Sequence, residues 1–393
     1  MRILLLSAYD AQSHKYWREG MVAQFSEHQW TQLVLPGRHF SWRIRGNSMQ
    51  WALGERDTLE QNYDLIIATS MVDLSSLKGM VPNLAPIPSI LYFHENQFVY
   101  PPNQTNQKYH LGPKMVTLYG AIAANKLVFN SRYNQLSFMA GVSELLSKMP
   151  EKMPIDVAEM LAQKSVILPV ALNQLTASNP SNDTVQSDEY YSKVWPKRAE
   201  RDVPLRLVWA ARWEYDKGPQ QLLALLRELH KRKVNFQLCV LGQRFRKQPV
   251  EFDQIASEFA AYIVQFGYAE SNHQYLSWLA GADMVLSTAL HEFQGLAVLE
   301  AVQLGCTPIL PNRLVYPELF SGDYLYESNP LDLEQEAASA ATLIQTMAVK
   351  MRQGNKATAS LQYLTWPVMK PKYENALNST VPIKPSSQFS SKT

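Results

Sequence analysis

The chain has 393 residues, of which 46% are apolar, and its 37 Lys and Arg nearly balance 35 Asp and Glu for a net charge of +2. That length exceeds what one hydrophobic core serves, so two domains of ordinary size are expected, and the charge balance supplies no global field for a polyanion: any nucleic-acid contact has to come from a local basic surface. No apolar run is long enough to cross a bilayer; Cys239 and Cys306, both in strand-like apolar contexts, read as buried thiols of a reducing, cytoplasmic compartment, against a disulfide framework or a zinc site.

The opening run Met1–Leu6 is too short for a signal-peptide core and turns directly into Ser7-Ala8-Tyr9-Asp10, so it reads as a first buried strand. Ser13-His14-Lys15 follows, with Ser13 placed either to meet a ligand or to cap a helix start. Arg38-His39-Phe40-Ser41-Trp42-Arg43-Ile44-Arg45 interleaves cations with planar rings, which suits splayed RNA bases and their phosphates; the alternative is an exposed basic loop of no consequence. Apolar runs at residues 2–7, 31–35, 64–68, 88–93, 126–130 and 165–168 alternate with helix-like or irregular segments, the order of a parallel sheet wrapped by helices. Residues 1–170 are therefore expected to form a first doubly wound α/β domain. Within it, His94-Glu95-Asn96-Gln97 closes the strand from Ser89 to Phe93 and sets four polar groups at its carboxyl end.

Residues 171–203 lose periodicity and are rich in Asn, Ser, Asp and Gln, with Pro180 and Pro196 as breakers, which predicts a polar linker or exposed insertion. Strand candidates resume at 205–210, 236–241, 262–267, 283–287 and 307–311, joined by helices near 218–232, 272–280 and 296–304, and a helical stretch near 332–352 follows. This predicts a second doubly wound domain over 204–352, with 353–393 as a closing segment and a loose tail from Ser379. Among basic clusters, Arg244, Arg246 and Lys247 are a candidate RNA contact, whereas Lys231, Arg232 and Lys233 suit the dipole of a helix end.

Two segments of the second domain carry the chemistry. The strand Leu205–Trp209 leads into a loop with Arg212 and Lys217, at the end of the sheet where open α/β folds bind ligands, and two cations there can neutralise a departing diphosphate. His291-Glu292-Phe293-Gln294-Gly295-Leu296-Ala297-Val298-Leu299-Glu300 sets two carboxylates either side of a loop that opens an apolar helix. The first-turn amides of such a helix favour phosphate, Gly295 permits close approach, and Glu292 and Glu300 are suited to sugar and ribose hydroxyls. Plain alternatives exist for both segments: solvated loop cations, and an amphipathic helix bearing one solvated Glu. No two glycines stand one residue apart, no Walker Gly-Lys-Ser/Thr occurs and no Asp-x-Asp occurs, so a dehydrogenase, an NTPase and a metal-gripping transferase of the other large glycosyltransferase fold are all disfavoured.

Together these residues resemble the donor half of retaining glycosyltransferases with the GT-B fold, two Rossmann-like domains facing a central cleft. The segments Ser7 to Lys15, His39 to Arg43, Ile90 to Gln97 and Phe129-Asn130-Ser131 look like the tRNA-queuosine alpha-mannosyltransferase family. The resemblance implies transfer of mannose from GDP-mannose to queuosine in the anticodon of tRNA-Asp, with no metal, no further cofactor and no membrane partner. It implies Arg212 and Lys217 on the diphosphate, Glu300 on the ribose, Glu292 and His94 on the mannose, and Phe293, Gln294, Gly295 and Leu296 completing the donor loop. Acceptor contacts fall to Ser13, His14, Lys15, Trp42, Arg43, Glu95, Asn96 and Gln97, and Tyr363 to Leu377 is expected to pack back on the first domain. A departure stands out: general GT-B relatives carry a glycine-rich loop where Ser13-His14-Lys15 has none. Rival readings are a transferase of this fold acting on a lipid or cell-envelope saccharide, a noncatalytic tRNA- or nucleotide-binding module, and, for Glu292, a covalent nucleophile.

Overall fold

A computed structural model describes residues 1–99, 111–175, 194–198, 202–244 and 248–381. The first sheet contains β1 (Arg2–Asp10), β2 (Gln29–Pro36), β3 (Leu65–Thr69), β4 (Ser89–Phe93), β5 (Lys126–Phe129) and β6 (Ser165–Ile167), in the order β2-β1-β3-β4-β5-β6. The second contains β7 (Leu205–Ala210), β8 (Phe236–Leu241), β9 (Ile263–Gly267), β10 (Met284–Leu286), β11 (Thr307–Pro311) and β12 (Leu325–Tyr326), in the order β12-β11-β10-β7-β8-β9. The described pairings are parallel. Parallel strands covered by helices on both faces are apolar throughout, and β3 and β4 are buried at every position while the edge strands β2 and β6 are not. Side-chain alternation splits the first sheet between two cores: Leu4, Ile66 and Leu91 face one, Ile3, Ile67 and Tyr92 the other.

Strand order reverses between β1 and β3 in the first sheet and between β7 and β10 in the second. A crevice opens outside the carboxyl ends at each such point, which is where open α/β sheets take ligands. The loops bearing Arg212 and Lys217, and His291 to Gly295, leave β7 and β10; both segments singled out from the sequence thus meet at the second crevice.

The chain leaves the first core with Ala171 and enters the second with Leu172. Leu172 pairs with Thr365, its amide donating to Leu364 O at 2.8 Å, and the helix Trp366–Asn378 then returns to the first domain, burying Trp366, Met369, Tyr373 and Leu377 against Trp17 and Tyr92.

Several expectations change. Residues 176–193 and 199–201 of the expected linker, Arg246 and Lys247, and the tail from residue 382 lie outside the described residues. Within residues 194–198, Pro196, Lys197 and Arg198 are exposed as expected, but Trp195 is buried against Trp278, and Arg206, in a central strand, reaches Pro196 O at 2.7 Å. Ser13 does not cap a helix, since the helix Gln12–Gln24 begins at Gln12 with Ala11 as its cap and Ser13 already inside the first turn. Arg38–Arg45 is not a loop, because the helix Phe40–Gly54 starts within it behind His39, whose φ of 58° sets the turn. β12 has no counterpart among the expected strands, its two residues being too few to show a period. Cys239 and Cys306 are free and buried, and burial pushes the Cys306 thiol up to about 12.

Candidate active site

On the donor side, two loops are laced together before any ligand is considered. Asp216 O accepts the amides of Leu290 and His291 at 2.9 and 3.1 Å, and Thr288 Oγ1 donates to Lys217 O at 2.9 Å. Gly218 makes this fit possible: its φ is 67°, and a Cβ there would stand 2.0 Å from Thr288 O. It also starts the helix Pro219–Lys231, with Pro219 at the first position where no amide is missed. From behind, Arg313 Nε and Nη2 donate to Ala289 O and Thr288 O at 2.8 and 3.1 Å, with Nη1 on Glu336 at 2.6 Å.

Lys217 is buried in this frame, its ammonium 2.8 Å from His291 O and 3.2 Å from both Glu292 Oε2 and Asp216 Oδ2. Burial opposes its charge, but Glu292 and Asp216 outweigh that and hold the ammonium above its ordinary value. Burial likewise opposes ionisation of Glu292 and Asp216, and Lys217 above all holds both below the usual carboxylate range. Glu292 Oε1 accepts the amides of Phe293 and Gly295 at 3.1 and 3.0 Å. Both carboxylate oxygens are thereby engaged, while the first-turn amides of Leu296, Ala297 and Val298 precede the first intrahelical bond, Leu299 to Gly295 O. Arg212 lies at the exposed rim, 2.6 Å from Glu214 Oε2 and 3.7 Å from Asp216. Burial, then the Lys217 charge, push His291 down to about 4.

Glu300 lies one helical turn deeper and accepts a hydrogen bond from Tyr275 OH at 2.8 Å. Burial raises its carboxyl to about 7, only partly offset by Tyr275. Tyr16 of the first domain, whose hydroxyl accepts the Asn173 amide at 2.7 Å, lies close enough for the Glu300 charge to act on it.

Across the gap, the carboxyl ends of β1 and β4 bring His14 and His94 into a stack with ring centroids 4.2 Å apart, over Trp17 and Tyr92. Burial, reinforced by His14, holds His94 well below the ordinary histidine value, and burial lowers His14 too, favouring the neutral form of both rings. Nε2 of His94 and Nδ1 of His14 are buried with no hydrogen-bond partner among the described residues, which is costly unless a ligand completes them. Glu95 stands 4.0 Å from His14, and its charge acts on Glu214 and His291 of the other domain.

The remaining residues singled out from the sequence divide. Asn96 is fully engaged, with Nδ2 on Asn134 Oδ1 and Ser137 Oγ of the helix Arg132–Ser147, both at 2.9 Å, and Oδ1 accepting the Phe98 amide of its own loop; Gln97 reaches Met71 Sδ at 3.7 Å. Gln294 bridges the domains, its side-chain amide pairing with Val170 N and O, both at 2.8 Å. Phe293 packs on Tyr133 of the first domain. Ser13 and Lys15 are exposed on the first helix, Lys15 beside Glu19. Trp42 is 54% exposed, and Arg43 bonds Gln50 at 2.8 Å. Sequence reasoning missed Asp216, Arg313 and Tyr275. An acid between two cations on one loop is a signal for Asp216; nothing in periodicity marks the other two.

The domain arrangement and these clusters agree with comparisons to known proteins. Residues 2–172 match the tRNA-queuosine alpha-mannosyltransferase N-terminal family, and residues 195–349 match glycosyl transferases group 1. The chain is 31% identical over 330 residues to the tRNA-queuosine alpha-mannosyltransferase of Drosophila melanogaster, covering 83% of this chain and 84% of the relative. In fold it is similar to the Anabaena protein HepE in complex with UDP and glucose, with a TM-score of 0.66 at 13% identity over 96% of this chain and 100% of that one. It is also similar to sucrose-phosphate synthase from Thermosynechococcus elongatus, with a TM-score of 0.70 at 12% identity over 96% and 99%. Two parallel six-stranded α/β domains of the GT-B type, a group 1 donor domain and a relative matched over most of both chains lead to one assignment: the chain belongs to the tRNA-queuosine alpha-mannosyltransferase family.

Proposed function

We propose that the chain transfers mannose from GDP-mannose to queuosine in the anticodon of tRNA-Asp, with retention at the anomeric carbon and without a metal ion. The observation that carries this is the buried Lys217–Glu292 pair at the start of an apolar helix, beside Arg212. A diphosphate has two cations and the amides of Leu296 and its neighbours to receive it, so positive charge does not have to come from Mg²⁺.

In this reading Glu300 accepts the ribose hydroxyls, and Glu292 and His94 orient the mannose. Phe293 and Gln294 fix the loop to the first domain and leave donor contact to the backbone of Gly295 and Leu296. As the bond from the anomeric carbon to the departing phosphate oxygen breaks, positive charge grows on the sugar ring. The acceptor hydroxyl attacks from the same face, forming the new carbon–oxygen bond, and its proton passes to the leaving diphosphate. With both oxygens of Glu292 already engaged, an orienting role suits it better than a covalent one. His14 and Glu95 line the acceptor side, with Trp42 and Arg43 at its margin; Asn96 is a positioning residue there.

Incubation with GDP-mannose and tRNA, with or without queuosine, followed by mass analysis of the nucleosides, tests the assignment. A hexose gain on queuosine alone is the expected result. Gain on a lipid-linked saccharide instead, or on neither tRNA, overturns it.

A further inference from the structure

We infer that the face formed by the helices Phe40–Gly54 and Leu111–Ala123 of the first domain seats the phosphodiester backbone of the acceptor RNA, delivering its loop to the cleft; this rests on the functional reading above. The chain as a whole is nearly neutral, but its acids are unevenly spread. Residues 28–54 contain three arginines and no Asp or Glu, and residues 96–143 contain Lys108, Lys114, Lys126 and Arg132 with no Asp or Glu. The fold places a helix from each tract side by side: Gly112 lies against the Arg45 guanidinium, where a Cβ would be 3.1 Å from its central carbon. The helix Leu74–Met80 packs against both. The carboxylate at its start, Asp73, is engaged as a cap, accepting from Ser76 N at 3.1 Å and Ser75 Oγ at 3.0 Å. Arg38 and Arg45 are exposed. Glu144 is close enough to feel the Lys114 charge, but cations exceed acids on this face, and a local positive excess on a nearly neutral protein is what a polyanion selects.

Two contacts make this face continuous with the acceptor side. Phe40 meets Tyr9 edge-on at 5.9 Å, and Tyr9 is the next-to-last residue of β1, where the Arg212 charge reaches it from the other domain. The Lys114 ammonium lies 5.5 Å over the Phe98 ring, in the loop that follows His94. Two residues on from Phe40, Trp42 offers an exposed planar ring, and cations beside planar rings are the means by which proteins hold unpaired nucleotides. Met49 and Leu53, farther along the first helix and also exposed, are the positions a bilayer would use, so the test includes vesicles.

The experiment measures fluorescence anisotropy of queuosine-containing tRNA at graded salt, with GDP-mannose affinity followed separately by calorimetry. The triple variant R38A/R45A/K114A is expected to lose about tenfold or more in tRNA affinity at physiological salt, and its log–log salt slope to become shallower by about two to three. GDP-mannose affinity is expected to stay at the wild-type value. Trp42→Ala is expected to weaken tRNA binding by about fivefold or more while keeping the wild-type slope. Unchanged tRNA affinity and slope in the triple variant overturn the inference. So does selective loss of binding to phosphatidylserine vesicles, which assigns the face to a lipid surface. If the wild-type protein binds no tRNA at any salt, the acceptor reading itself fails along with the face; wild-type binding that the triple variant equals leaves that reading intact and removes only the face.

Discussion

The two sides of the cleft solve opposite electrostatic problems. At the second domain the loop charges answer one another, Lys217 with Asp216 and Glu292 and Arg212 with Glu214, while the buried Glu300 has the Tyr275 hydroxyl as its partner. At the first domain the corresponding place holds two stacked imidazoles that burial keeps neutral, each with a buried nitrogen lacking a partner among the described residues. A diphosphate is permanently charged, so its receptor needs permanent cations, and buried cations stay in place only with carboxylates beside them. An attacking hydroxyl and the hydroxyls of a sugar are neutral, and neutral donors and acceptors orient them without the desolvation cost of a further charge.

The largest way to break that contrast is Lys217→Met. It removes the cation proposed to face the leaving group and strands Asp216 and Glu292 together, so kcat is expected to fall by roughly 10²- to 10³-fold. Turnover within tenfold of wild type would remove Lys217 from leaving-group stabilisation. His94→Ala sharpens the other side. One neutral hydrogen bond at about 0.5–1.5 kcal/mol predicts a loss of roughly two- to thirteenfold in turnover. GDP-mannose affinity by calorimetry should change far less than in Lys217→Met, and an equal loss of donor affinity in the two variants would erase the distinction between the sides.

How far the sequence discloses this depends on whether a feature repeats or converges. The alternating apolar runs mark eleven of the twelve strands, because a buried parallel strand writes its environment into consecutive residues. The placing of Arg212, Lys217 and Glu292 is legible too, since each lies on a loop that follows β7 or β10, and Glu300 follows one turn into the helix. What stays hidden is whatever depends on partners far apart in the chain. Gln294 looks like a donor-loop residue until Val170 is seen 2.8 Å away. Asn96 looks like a free amide until Asn134 and Ser137 close around it. The His14–His94 stack joins residues eighty positions apart, and neither carries any local sign of the other.

The finest probe is pH, and it isolates Glu300. Burial raises its carboxyl to about 7 in the donor-free protein, against about 4.3 for an unfolded Glu. Its neutral form therefore contributes stability that is fully present below the unfolded value and is lost as pH rises through about 7. In the proposed reading, ribose hydroxyls donate hydrogen bonds to the ionised form, so GDP-mannose has to expel that proton. Donor affinity should weaken as pH falls below about 7, approaching tenfold per pH unit, and calorimetry in buffers of different ionisation enthalpy should detect proton release near neutrality. His291, held at about 4, and His94, held well below its ordinary value, stay neutral through this window. GDP-mannose is the right probe because its diphosphate is esterified at both ends and does not titrate there, unlike the terminal phosphate of GDP. Glu300→Gln keeps a carbonyl acceptor but has no proton to expel, so its donor affinity should be lower at about pH 8 and flat down to about pH 6. A wild-type affinity equally flat over that range would mean that Glu300 does not meet the ribose.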